Sequence, residues 1–180
     1  MKILNFTKMH GLGNDHIIID LFKENLPNPL EIAPTMCDRH LGVGADGLIL
    51  IGPSEKYDFT MWVINSDGSE AEMCGNGIRC LAKYVVENGL TDKTRIVVET
   101  LKGPHMQEIH VAEGRFVDVT TGMGKPSLRR SEIPMKGPDA GKVVDEELVV
   151  DGVPYRITLV NVGNPTASYS WTMSTLSIWP

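Results

Sequence analysis

Cys74 is the residue in this sequence best placed to do chemistry. The segment from Asn65 to Cys80 reads NSDGSEAEMCGNGIRC, so Cys74 stands immediately before Gly75-Asn76-Gly77. The pattern beyond it predicts a helix over Asn76 to Asn88, with Ile78, Leu81, Ala82 and Val85 at helical spacing and Gly89 as a left-handed C-cap. A thiol at a helix N-terminus is pushed toward thiolate by the helix dipole and the unpaired N–H groups. The same N–H groups can hold a carboxylate, and Gly75 and Gly77 let the backbone come close to a ligand. One motif thus supplies a base and an anion cradle side by side. The competing reading is that Cys74 is a small buried apolar residue, the usual fate of a free cysteine. That reading suits Cys80, inside the helix and off its apolar stripe, and Cys37, which has no glycine context.

The elements that would position such a site are mostly strands. Ile3 to Lys8 alternates weakly, and His16 to Phe22 is a continuous apolar run that predicts a buried strand. Pro34 to His40 is expected as a short helix, and Gly47 to Ile51 and Asp58 to Ile64 as strands, followed by the turn signal Asp67-Gly68. After the helix, Arg95 to Thr100, Met106 to Ala112, Phe116 to Thr120, Val143 to Val150 and Pro154 to Val160 read as strands. The pattern is α+β, strand-rich with few helices. The stretch from Gly122 to Pro126 is expected to separate two modules. Ser168 to Pro180, SYSWTMSTLSIWP, has neither a helical nor a clean strand period.

Composition excludes several classes. A chain of 180 residues with net charge -6 and 42% apolar residues fits a soluble globular protein of one large or two small domains. No apolar stretch is long enough to span a membrane, and the N-terminus lacks a signal peptide's apolar run. A cytoplasmic protein is expected. Mild acidity with scattered Lys and Arg argues against nucleic-acid or anionic-membrane partners. Three cysteines without CxxC spacing suggest neither a disulfide framework nor a zinc site. Gly42 to Gly47, GVGADG, matches the dinucleotide GxGxxG pattern, but a helix precedes it and a strand follows. That order is the reverse of what pyrophosphate binding needs, so the match is rejected.

The motifs taken together resemble diaminopimelate epimerase. Lys8 to Asp15 (KMHGLGND), Arg39 to Gly47 (RHLGVGADG), Asn65 to Glu70 (NSDGSE), Met73 to Cys80 (MCGNGIRC) and Asn161 to Pro165 (NVGNP) follow the family's order and spacing. The resemblance implies interconversion of LL- and meso-diaminopimelate, for lysine and peptidoglycan synthesis, without pyridoxal phosphate or metal. Two cysteines face the substrate α-carbon, one as thiolate and one as thiol, and Cys74 matches the first. Gly75 and Asn76 match residues that hold the α-carboxylate, and Asn14, Asn65 and Asn164 match substrate-binding asparagines. Gly47 stands where some members carry a substrate-contacting Gln, so that role is not carried over. The implied fold is two pseudo-symmetric α/β domains, each a curled sheet around a central helix, with the site between them. Residues 1–121 are expected to form the domain carrying Cys74 and residues 122–180 the start of the second. The full-length family form is a possible homodimer.

The sequence also departs from the family. The second catalytic cysteine of the resemblance, with its own glycine cradle, lies past position 180, and so does the last strand of the first domain. The family His after Gly-Asn-Pro is Thr166 here. A one-base slip of the reading frame at Pro165 accounts for the tail. Read in the shifted frame, Trp171-Thr172 must encode Asp and Trp179-Pro180 must encode Ala, within a peptide that resembles the family's continuation. The expectation is a second domain left incomplete with an aberrant tail over 166–180, one catalytic thiol instead of two, and no useful epimerisation. Unpaired strand edges would make it aggregation-prone. The alternatives are a proline racemase-like enzyme, which shares the two-cysteine logic, or a non-catalytic remnant or binding module. Tight diaminopimelate binding without turnover marks the module.

Overall fold

The computed structural model describes residues 3–137, 141–162 and 165–170. It divides into two compact units, the first ending at Met123 and the second starting at Gly124. In the first, β1 (Thr7–Gly11), β2 (Asn14–Asp20), β3 (Gly47–Gly52), β4 (Phe59–Asn65), β5 (Glu70–Ala71), β6 (Arg95–Thr100), β7 (Gly103–Ala112) and β8 (Arg115–Thr121) form one mixed sheet. Its order is β1-β2-β3-β4-β6-β7-β8, with β5 on β4. The pairs β2–β3 and β4–β6 are parallel, and each needs a crossover. Helices α1 (Pro29–Cys37) and α2 (Gly75–Glu87) are those crossovers.

The apolar runs are explained by burial on both faces. Alternate residues Ile18, Ile49, Ile51, Phe59, Met61 and Val63 pack with Ile78, Leu81, Ala82 and Val85 of α2. Their neighbours Ile17, Ile19, Leu48, Leu50 and Ile64 pack with Ala33 and Cys37 of α1 on the opposite face. A strand covered on both sides has no polar face to show, so its sequence reads as continuous rather than alternating. Helix α2 touches both β1 and β8, the two ends of the strand order. That is possible only if the sheet curls around it, as the resemblance implied for the first domain.

Some boundaries differ from the sequence expectation. The first strand is Thr7–Gly11, not Ile3 to Lys8, because Leu12 (φ 56) and Gly13 (φ 86) make a two-residue hairpin turn that fixes Gly11 opposite Asn14. The first helix is Pro29–Cys37, not Pro34 to His40. Pro29 opens it, where a missing N–H costs nothing, and Asp38 Oδ1 ends it by accepting from the N–H groups of His40 and Leu41, both at 2.7 Å. The helix over Asn76 to Asn88 forms as expected, one residue earlier at its start.

The second unit is built on β9 (Glu146–Val150), β10 (Val153–Asn161) and β11 (Pro165–Ser170), an antiparallel sheet ordered β11-β10-β9. Ile133, Val143, Ile157 and Leu159 form its small core. Among the described residues of this unit there is no α-helix, only a 3-10 turn at Arg130–Glu132. Ser168 to Ser170, read as lacking a strand period, belong to β11, which pairs with β10 from Asn161↔Pro165 to Arg156↔Ser170. Pairing goes through the backbone, so no side-chain alternation is required. Residues 171–180 of that segment lie outside the described residues. No helix among the described residues is long and apolar enough to cross a membrane.

Candidate active site

Cys74 is the N-cap of α2. Its backbone is extended (φ -131, ψ 110), and its Sγ accepts the Gly77 N–H at 3.2 Å. The thiol therefore takes the place that a Ser or Asp oxygen usually fills. The N–H groups of Gly75 and Asn76, in the first turn, lie beyond the reach of intrahelical acceptors. Gly77 has no room for a side chain, since a Cβ there would sit 2.6 Å from Ile49 Cδ1 and 3.3 Å from Cys74 Sγ. The glycine lets α2 press onto β3 while the thiol stays half-buried.

Strand β2 brings the partners. Asn14 and His16 alternate with Asp15 and share the α2-facing side with Ile18. Asn14 Oδ1 accepts from Cys74 Sγ at 3.6 Å and from Asn76 Nδ2 at 3.3 Å, and lies 3.0 Å from His16 Nε2. His16 Nε2 is itself 3.6 Å from Sγ. Arg79, one turn along α2, donates to Asn76 Oδ1. Four of the expected site residues, Cys74, Gly75, Asn76 and Asn14, are thus gathered at one helix start. Gly75 lies under Met123, whose Cε would be 3.3 Å from a Cβ there.

Asn65 is at the same level but two strands away. His16 pairs with Gly47, and Gly47 with Asn65. Two strand spacings put Asn65 roughly 10 Å from His16 on the same face, with the bare Gly47 between them. Asn65 is held by Ser69, whose carbonyl accepts its N–H at 2.8 Å and whose Oγ accepts from its Nδ2 at 3.0 Å. Asn164 lies outside the described residues. Cys37 of α1 and Cys80 of α2 are buried on different faces of the sheet, and burial pushes both thiols up.

Sequence reasoning assigned no role to a charged brace at the edge of the site. Asp46 Oδ2 accepts from Asn14 Nδ2 at 2.8 Å and from the Asp15 N–H at 3.0 Å. Arg39 bonds Asp15 at 2.7 and 3.2 Å and Asp46 at 2.8 Å, and Lys8 Nζ lies 3.1 Å from Asp15. The Arg39 guanidinium, with Lys8, holds the Asp15 carboxyl well below the usual carboxylate range. The Asn14 amide, with the Asp15 N–H and Arg39, lowers Asp46. His16 was also missed, hidden within an apolar run. Among the described residues no three His, Cys, Asp or Glu side chains gather as a metal site requires. A hollow of about 520 Å³ between β1, α2 and β8, lined in part by Lys8, Arg79 and Lys83, does not include Cys74.

A thiol on a helix start, ringed by amide and imidazole groups, can exchange a proton with a bound carbon acid. Comparison decides which family built it. The diaminopimelate epimerase model matches residues 6–129. The chain belongs to the diaminopimelate epimerase family. It is 55% identical to the diaminopimelate epimerase of Pelotomaculum thermopropionicum over 90% of this chain and 58% of that one. Against the enzymes of Geobacillus kaustophilus and Methanococcus maripaludis it is 50% and 48% identical, over 92% and 91% of this chain and 58% and 59% of theirs. It therefore spans under two thirds of the length of these relatives. Among solved structures, a hydroxyproline epimerase from Agrobacterium vitis superposes with TM-score 0.69 at 16% identity, over 90% of this chain and 49% of that one. A probable proline racemase from Agrobacterium radiobacter gives 0.70 at 15%, over 92% and 51%. At such identities these two share the fold alone. The diaminopimelate epimerase family is one of isomerases, and the motif segments that pointed to it hold Cys74, Asn14 and Asn76 together here.

Proposed function

We propose that this chain carries one half of a cofactor-independent diaminopimelate epimerase site, with Cys74 as one of two proton-transferring bases. The observation that supports this best is Cys74 itself, an N-cap thiol receiving the Gly77 N–H at 3.2 Å with Asn14 and Asn76 beside it. The N–H groups of Gly75 and Asn76 would hold the substrate α-carboxylate at the positive end of α2. That sets the α-carbon next to Sγ. Asn14, Asn65 and Asn164 would bind the rest of the zwitterion, since an amide offers donor and acceptor together. In the thiolate form Sγ takes the α-proton, the C–H bond breaks, S–H forms, and the electron pair stays on the substrate. A second acid on the opposite face must then return a proton.

Neither Cys37 nor Cys80 is placed to be that acid, because both thiols are buried, Cys37 on the other face of the sheet. A polypeptide of these 180 residues is therefore expected not to epimerise diaminopimelate at a useful rate. Residues 1–121 would be the Cys74 domain and residues 122–180 the beginning of its counterpart, working in lysine and peptidoglycan synthesis in the cytoplasm. Iodoacetamide alkylation of Cys74, followed on its peptide by mass spectrometry, tests the reading. Diaminopimelate should slow it and L-proline should not. Protection by proline alone would favour the racemase-like reading, and protection by neither would leave a remnant that binds no substrate. Deuterium uptake at the α-carbon with inversion would refute the single-base prediction.

A further inference from the structure

His16 is 3% exposed and lies on the floor of the site. Its Nε2 is within reach of both Asn14 Oδ1 (3.0 Å) and Cys74 Sγ (3.6 Å), while its Nδ1 is buried with no hydrogen-bond partner among the described residues. The network fixes the position of the ring proton from both ends. At one end the Asp46 carboxylate only accepts, so Asn14 turns its Nδ2 toward it. At the other the Arg79 guanidinium only donates, so Asn76 turns its Oδ1 toward Arg79 and its Nδ2 toward Asn14 Oδ1. Both constraints leave an oxygen facing His16 Nε2, which must carry the hydrogen. The bare nitrogen is then Nδ1, the atom without a partner. Burial pushes the imidazole below its ordinary pKa, against the pull of Asp46 and Asp15, so the ring is neutral at pH 7.

We propose that His16 is a positioning residue for Cys74: its Nε2–H bonds Asn14 Oδ1 while Cys74 is a thiol and turns to Sγ when Cys74 becomes a thiolate. In the thiol state Sγ–H donates to Asn14 Oδ1 as well. On losing its proton Sγ can only accept, and it then has two donors, the Gly77 N–H and His16 Nε2–H. The ring neither gains nor loses a proton, so every proton that leaves the substrate stays on sulfur. The remaining charged groups facing this pair are accounted for. Asp15 and Asp46 are tied to Arg39, with Lys8 also on Asp15, and from α2 Arg79 is engaged with Asn76 while Cys80 is buried.

The inference rests on Cys74 being the base, but its test needs no diaminopimelate. The pH midpoint of Cys74 alkylation is measured on the full chain and on its H16F and H16Q variants, with folding checked by circular dichroism. A hydrogen bond to a charged sulfur is worth about one pH unit or more. H16F should therefore raise the midpoint by about one unit, roughly a tenfold loss of thiolate below it. H16Q, which keeps an N–H donor, should stay closer to the parent. Equal midpoints in all three chains, or equal shifts in the two variants, would show that His16 only packs. A second inflection in the parent profile, lost in H16F, would show the imidazolium taking part and would also overturn it. The ¹⁵N shifts of the parent imidazole give a reading independent of any variant. Nε2 should be protonated and Nδ1 bare from about pH 7 to 8, and the opposite tautomer refutes the scheme. Failure of diaminopimelate to protect Cys74 while the midpoints behave as expected would refute the function and leave the role of His16 intact.

Discussion

Gly68 ties the turn that carries Asn65, proposed above to bind substrate, to α1 on the opposite face of the sheet, and replacing it with alanine should show how tightly. The turn after β4 places Gly68 at φ 85, with its N–H donating to the Asn65 carbonyl at 3.0 Å. Asp67 Oδ1 accepts from the Ser69 N–H at 2.9 Å, and Ser69 in turn holds Asn65. A Cβ on residue 68 would lie 2.7 Å from the Leu30 carbonyl oxygen and 3.4 Å from Pro34 Cγ. Leu30 is four residues before Pro34, whose missing N–H cannot satisfy that carbonyl, so the oxygen faces the turn unshielded. Two costs therefore add in Gly68→Ala. The left-handed backbone costs an L residue about 1 kcal/mol, and overpacking against a helix carbonyl that cannot rotate away costs roughly 1–3 kcal/mol. Gly89 supplies the control. It is left-handed too (φ 66), but a Cβ there meets nothing within 4 Å, so Gly89→Ala should lose only the first, about 1 kcal/mol. Urea unfolding followed at 222 nm reports the first unit, which holds both α-helices of the described residues. The midpoint shift of Gly68→Ala should be two to four times that of Gly89→Ala, by the ratio of these estimates. Diaminopimelate protection of Cys74 should weaken in Gly68→Ala alone, because the turn carries Asn65. Equal shifts in the two variants would refute the argument, since the turn would then retreat from α1 without cost.

Two other perturbations address the brace and the core. Asp15 has a depressed pKa in the folded chain, chiefly through Arg39, so its stabilisation is present above the ordinary carboxylate pKa near 4 and is lost as pH falls. Arg39→Met should lower the urea midpoint at pH 7, and the gap to the parent should narrow at about pH 3; an unchanged gap would mean Arg39 acts by packing. Leu81 is fully buried between α2 and the sheet, and Leu81→Ala should cost 2–5 kcal/mol in the same unfolding assay.

The parts of the fold that were legible in the sequence are those where one interaction dominates. Ile78, Leu81, Ala82 and Val85 mark α2 because they face the core at helical spacing. Ile17 to Ile19 and Leu48 to Ile51 mark central strands because both their faces are covered. Boundaries set by a turn or a cap were not legible. The start of α1 depends on Pro29 and its end on Asp38, neither of which breaks a periodicity, and β11 exists because β10 offers an edge to pair with. His16 was hidden by its neighbours, although the signal was present: residues two apart on a strand share a face, so a role for Asn14 implies that His16 looks into the same site. The Asp15–Arg39–Asp46 brace joins residues 24 and 31 positions apart, and no local pattern announces it.

Helix α2 begins with residues that are poor at beginning a helix, and the chemistry explains why. Gly75 and Gly77 each cost about 1 kcal/mol relative to alanine inside a helix, and the first turn has no acidic side chain to meet the positive end of the dipole. An aspartate there would stabilise α2 and would also occupy the N–H groups proposed above to hold a substrate carboxylate. The weakness at the start is offset downstream, where Ile78, Cys80, Leu81, Ala82, Tyr84 and Val85 are buried. At roughly 1.5 kcal/mol or more for each large apolar side chain, Ile78, Leu81 and Val85 alone outweigh both glycines. The helix is therefore held by its middle and left open at its first turn. Gly77 brings α2 against Ile49, where a Cβ would sit 2.6 Å from Cδ1, while presenting its N–H to the sulfur. Packing and reactivity meet at that one position, so the depth at which α2 docks on β3 also sets where Cys74 stands beside Asn14 and His16.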